Sequence, residues 1–137
     1  MTRILALDWG TRHIGVAVSD ELQISTRPLA PLSETTPEAF LEDVSSLCRD
    51  FNVQTIIIGL PVSLSREIGP QAQKVQEFAR SVETKTGLEV ILWDETYTSQ
   101  TAETSMKEAG KNLRKHRSEV NSLAAQVILD SYLSEHS

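Results

Sequence analysis

Ile4-Leu5-Ala6-Leu7-Asp8-Trp9-Gly10-Thr11-Arg12-His13-Ile14-Gly15-Val16-Ala17-Val18 opens the chain and decides how the rest is read. Two apolar runs flank a four-residue connection, Trp9 to Arg12. Short apolar runs bounded by turn residues read as buried strands, here Ile4–Asp8 and His13–Asp20. The first run ends in a carboxylate. An acid at the end of a buried strand, beside a glycine that lets a ligand approach the backbone, is a way to hold a metal or a phosphate.

Asp20-Glu21 reads as a turn into a third strand near Gln23–Pro28, which completes an antiparallel meander that Pro28 and Pro31 break. A first helix is expected from Thr35 or Thr36. Thr35 with Glu38 makes a capping box, Pro37 suits the first turn, and Phe40, Leu41, Val44 and Leu47 recur at helical spacing. The helix fades near Asp50. Val53–Ile58 carries the run Ile56-Ile57-Ile58 of a strand covered on both faces, and Gly59-Leu60-Pro61 stops it. A polar loop over 62–69 leads to Pro70, which opens a second helix that ends before Gly87. Leu88–Trp93 is the next strand. Further helices are expected from about Thr98 to Ala109 and from about Ser118 to Leu133. Three strands followed by alternating helices and strands make an α/β domain with antiparallel and parallel pairs in one sheet.

The chain has 137 residues, enough for one domain, residues 1–137, with a substantial core. It carries 39% apolar and 23% charged residues, and no apolar run approaches the roughly 20 residues of a membrane span. The early first strand leaves no room for a signal peptide, and Cys48 is alone, so a reducing cytoplasm is expected. Thirteen basic against nineteen acidic residues give a net charge of −6, which argues against general coating of polyanions. It leaves room for a nucleic-acid enzyme whose acids are neutralised by metal and whose bases cluster locally.

Asp8 and Glu95 each stand at or just past the C-terminal end of an expected buried strand. In open α/β sheets ligands gather at those ends. If the two strands are parallel neighbours, the carboxylates meet and can take a hard divalent cation. The alternative is a turn-capping Asp8 and a solvated Glu95. Gly59 can admit a close backbone approach or simply end its strand. Thr98 can cap the following helix or face an anion at its N-terminus. Lys111, Arg114, Lys115 and Arg117 put four of the thirteen basic residues into seven positions, either a phosphate-backbone contact or a solvated loop. No aromatic residue lies among them, so such a contact would not read base sequence. Trp9 and Trp93 read as packing residues, and Cys48 as a packed thiol.

Asp8-Trp9-Gly10-Thr11-Arg12-His13-Ile14-Gly15-Val16-Ala17-Val18-Ser19-Asp20 closely resembles the opening motif of the YqgF family, also called RuvX. Ile58-Gly59-Leu60-Pro61 with Gly69-Pro70, Trp93-Asp94-Glu95-Thr96-Tyr97-Thr98, and Val120-Asn121-Ser122-Leu123-Ala124-Ala125 resemble its later motifs, in family order along nearly the whole chain. The resemblance implies a ribonuclease-H-like fold: a central mixed five-stranded sheet, three antiparallel strands then two parallel, flanked by helices. It implies a nuclease that processes the 5′ end of the pre-16S ribosomal RNA, with Holliday-junction resolution and a role in transcription antitermination as other proposals for the family.

The family's expected site has three acids that hold one or two Mg²⁺ or Mn²⁺ ions. Two map onto Asp8 and Glu95. Gly10, Thr11, Gly59, Pro61 and Thr98 map onto other motif positions, expected on the substrate side. The third acid maps onto Asn121. An amide oxygen still ligates a metal, but it is neutral and weaker. Glu119 and Asp130 lie about 200° and about 180° round the helix from it and do not replace it well.

The expected partners are RNA or branched DNA and no membrane. A two-fold junction would favour a homodimer. A non-catalytic nucleic-acid-binding or ribosome-assembly factor is the reading that Asn121 motivates. Asp-x-Gly-Thr also opens the phosphate-binding strands of the actin and sugar-kinase group, but a nucleotide clamp needs two lobes, and 137 residues supply one.

Overall fold

Alternation along the first strand explains the layers. In β1 (Arg3–Asp8), Leu5 and Leu7 enter one apolar cluster while Ile4 and Ala6 enter another, so the strand is covered on both faces. The computed structural model describes residues 2–9, 13–34, 36–60, 70–94 and 117–136, with the backbone alone at 70, 71, 94, 117–121 and 136. The remaining elements are β2 (His13–Ser19), β3 (Thr26–Ser33), α1 (Pro37–Asp50), β4 (Val53–Leu60), α2 (Pro70–Thr86), β5 (Glu89–Asp94) and α3 (Arg117–His136). The helix expected over 98–109 lies outside the described residues.

The five strands form one sheet in the order β3-β2-β1-β4-β5. β1 pairs antiparallel with β2, and β2 with β3. β1 pairs parallel with β4, and β4 with β5. The larger cluster, with Val16, Val44, Ile56, Ile58, Val75 and Val82, lies under α1 and α2. The smaller, with Ala17, Ile57, Ala125, Ile128 and Leu129, lies under α3. Each fully buried aliphatic side chain contributes about 1.5–3 kcal/mol.

Three local expectations shift. The third strand is Thr26–Ser33, running through both Pro28 and Pro31 where the prolines were expected to break it. β3 is an edge strand, so a proline lacking an N–H can face the unpaired side at little cost. Pairing moves from Val16↔Leu29 to Ile14↔Leu32, so the strand also absorbs an extra residue in a bulge that contains Pro31. The tight turn before it is held by the Asp20 carboxylate, which accepts from the amides of Ile24 (2.8 Å) and Ser25 (3.2 Å). The Ile24 amide holds the Asp20 pKa below the ordinary carboxylate value.

The N-cap of α1 is Thr36, the later of the two expected starts, whose hydroxyl accepts from the Ala39 amide at 3.2 Å; Thr35, on which the capping box was expected, lies outside the described residues. A threonine one position later places its oxygen against the third helical N–H and leaves Pro37 at the start, where its missing N–H costs nothing. Finally, β4 continues through Gly59 to Leu60, because β5 supplies partners for both: Gly59↔Trp93 and Leu60↔Asp94.

Candidate active site

The parallel register brings three strand ends level. Leu7 pairs with Ile58, and Ile58 with Leu92; one step further, Gly59 pairs with Trp93. Asp8 is therefore in step with Gly59 and Trp93. Strand alternation also assigns all three positions to one face. Asp8 continues the parity of Ile4 and Ala6, Gly59 that of Ile57, and Trp93 that of Ile91, which are the residues packed beneath α3. Asp8 is half-buried, and Gly59, between it and Trp93, is buried and puts no side chain on that face. Glu95 follows two positions after Trp93 and lies outside the described residues.

α3 closes this end of the sheet. Its buried stripe is Ala125, Ile128 and Leu129, with Tyr132 half-buried beside them. Position 121 lies one helical turn before Ala125 on the same stripe. The neighbouring Ser122 hydroxyl donates to the Leu29 carbonyl at 2.6 Å. Leu29 pairs with Val16 and Val16 with Leu7, so the first turns of α3 sit level with the end of β1. Asp8, Gly59 and the helical turn bearing Asn121 thus converge. Gly10, Thr11, Pro61, Thr98, Lys111, Arg114 and Lys115 lie outside the described residues, and Arg117 begins α3.

Among the described residues, no three His, Cys, Asp or Glu side chains form a metal-holding group. Two carboxylates and an amide are hard oxygen ligands of the kind Mg²⁺ and Mn²⁺ take, so the expected set of Asp8, Glu95 and Asn121 would suit such an ion. Of the three, only the Asp8 side chain is among the described residues. Asp130 does not join them, because its carboxylate accepts from the Thr26 hydroxyl at 2.6 Å on the edge strand.

Residues to which the sequence assigned no role in the site also shape this end of the sheet. Ser122 ties the start of α3 to β3. Trp93 packs as expected, edge-on to Tyr132 with ring centroids 5.4 Å apart, and its indole N–H also donates to Ser131 Oγ at 3.1 Å. Ser122 and Trp93 stand inside quoted motifs that say nothing of these contacts, and Ser131 and Tyr132 stand in none. Trp9 packs against the larger cluster, and Cys48 is buried, its thiol pushed up to about 11 by burial.

A mixed sheet in this strand order, with an acid closing its central strand and a helix across that end, defines a ribonuclease-H-like protein. The fold matches that of RuvC from T. thermophilus, solved in complex with a Holliday junction substrate, with TM-score 0.65 and 13% identity over 100% of this chain and 98% of that one. It also matches the fowlpox virus resolvase, solved with Holliday junction DNA, with TM-score 0.63 and 12% identity over 98% and 99% of the two chains. The chain belongs to the RuvX family, described as Holliday junction resolvase, whose family model matches residues 2–135. Relatives named "Putative pre-16S rRNA nuclease" include one from Syntrophus aciditrophicus, 41% identical over 96% of this chain and 87% of its own length. Another, from Desulforudis audaxviator, is 38% identical over 96% and 94%.

Proposed function

We propose that this protein is a metal-dependent endonuclease for structured nucleic acid, and that its reaction is 5′-end processing of pre-16S ribosomal RNA in the cytoplasm. The observation that carries this reading is the placement of Asp8: at the end of the central strand, level with Gly59 and Trp93, on the face that the first turns of α3 cover. The names of the relatives supply the substrate. No helix among the described residues is long and apolar enough to cross a membrane.

Asp8 and Glu95 would hold the cation with two negative charges, and Asn121 would add a neutral oxygen. When bound, Mg²⁺ or Mn²⁺ supplies activation of the attacking water and neutralises charge on the departing oxygen. Gly59 puts no side chain between Asp8 and β5, so it would not block a backbone that reaches the end of the sheet beside Asp8. Gly10, Thr11, Pro61 and Thr98 line the substrate side in this reading, and Lys111, Arg114, Lys115 and Arg117 hold phosphates away from the cut.

Asn121 motivates a second reading, a non-catalytic binder in ribosome assembly that retains the fold. The family description motivates a third reading, with a four-way DNA junction as the substrate, for which a homodimer would match the two-fold symmetry.

One experiment separates them. The purified protein, Asp8→Asn and Asn121→Asp are each incubated with precursor ribosomal RNA and with a four-way junction, with Mn²⁺ or with chelator. The parent is expected to cut the RNA with Mn²⁺ only, and Asp8→Asn to lose more than about a hundredfold, beyond the 10–100-fold typical of residues that merely orient a ligand. Undiminished cleavage by Asp8→Asn sinks the site. A silent parent with an active Asn121→Asp identifies a binder, and preference for the junction identifies a resolvase.

A further inference from the structure

α3 meets the edge strand β3 through three polar residues spaced four apart. Ser122 donates to the Leu29 carbonyl at 2.6 Å. Gln126 Nε2 donates to the Thr26 carbonyl at 3.3 Å and to its hydroxyl at 3.2 Å. The Thr26 hydroxyl in turn donates to Asp130 at 2.6 Å. At the opposite edge of the sheet, Ser131 accepts from the Trp93 indole and Tyr132 packs against its ring. The helix is therefore pinned at both flanks, and its apolar stripe lies between the pins.

These contacts do something the apolar stripe does not. Apolar burial is non-directional, and the small side chains of Ala124 and Ala125 present a shallow surface along which a helix can slide. Hydrogen bonds near 2.6 Å are directional and fix the axial position. The axial position of α3 sets the height of position 121 against Asp8, while the Trp93 pin lies two residues before Glu95.

From this we infer that α3 is a crossbar, and that Thr26, Gln126 and Asp130 are positioning residues that register the helical turn of Asn121 against Asp8. None of the three touches the reacting atoms; they act through the helix. The inference rests on the metal site proposed above.

The test replaces Thr26 by Val, which keeps the β-branched shape a strand favours and removes both hydroxyl contacts. Thr26→Ser keeps the hydroxyl. Two quantities are measured without substrate: Mn²⁺ affinity by calorimetry, and amide hydrogen exchange along α3. Thr26→Val is expected to speed exchange over 122–126 and to weaken Mn²⁺ binding, each by about three- to tenfold, the range one or two net hydrogen bonds allow. Thr26→Ser should restore both.

Faster exchange with unchanged Mn²⁺ affinity overturns the inference, since the clamp is then structural only. Unchanged exchange overturns it too. A parent that binds no Mn²⁺ removes the metal-site reading itself and this inference with it, whereas a binding parent with an indifferent Thr26→Val removes the inference alone. If Thr26→Val does not fold, Gln126→Met removes both Gln126 contacts to Thr26, leaves the Thr26–Asp130 bond, and is judged by the same outcomes.

Discussion

Asn121 and Cys48 show what single residues in this chain disclose. The amide at 121 differs from a carboxylate by one charge, and that difference was legible from its place in the Val120-Asn121-Ser122 motif. That position 121 and Asp8 belong to one site was implied by the motif resemblance alone; no local pattern links them across 113 positions, and it is the packing of α3 on the sheet that puts its first turns at the same end as Asp8. Cys48 is simpler. It lies in the α1 stripe with Phe40 and Val44, buried, and burial pushes its thiol up to about 11. At pH 8 that leaves about one thiolate in a thousand, and the thiolate is the reacting form. A disulfide reagent added to the native protein at pH 8 is expected to titrate no thiol within minutes. One thiol per chain should appear at once in denaturant. Rapid labelling of native protein would show that α1 opens readily from the sheet.

At the scale of elements, most of the fold was readable because each strand and helix carried its own period and stops. Two of the readings that shifted share one cause: they depended on a neighbouring strand. β3 survives two prolines because it is an edge, and β4 passes Gly59 because β5 pairs with it. The face on which α3 packs, which Asp8 shares, depends on parity in three strands at once. Local rules alone predict one element end well. Gly87 follows α2 with φ +71°, and its amide donates to the Glu83 carbonyl at 2.8 Å. An added Cβ there would meet nothing within 4 Å, so replacing the glycine costs only its backbone freedom. Gly87→Ala is expected to lower unfolding free energy by about 1–2 kcal/mol, and Gly87→Asn by less, since Asn tolerates the left-handed region. Urea titrations with an unchanged slope would measure both. Equal stability of the parent and Gly87→Ala would mean that the α2–β5 connection relaxes to negative φ.

For the whole molecule, the question is how a chain of net charge −6 holds a polyanion. A uniform field would repel such a substrate, so in the proposed reading binding would come from local excess and from cations at the carboxylates. Lys111, Arg114, Lys115 and Arg117 are the densest such excess, with no acid among the seven positions they span. If all four contact phosphates, each releases bound counterions, and log affinity should fall against log salt with a slope of about −3 to −4, at about 0.7 to 0.9 per contact. Replacing Lys111 and Lys115 together by Ala should shallow the slope by about 2 and weaken binding alike for different sequences, because no aromatic residue in the segment reads bases. Mn²⁺ affinity should stay at the parent value, since the segment holds backbone and not metal. Filter binding of a structured precursor RNA at several salt concentrations gives the slopes. A double variant with the parent's slope would move the phosphate contacts elsewhere on the surface, while a steeper parent slope than four contacts allow would mean that cations outside this segment share the backbone.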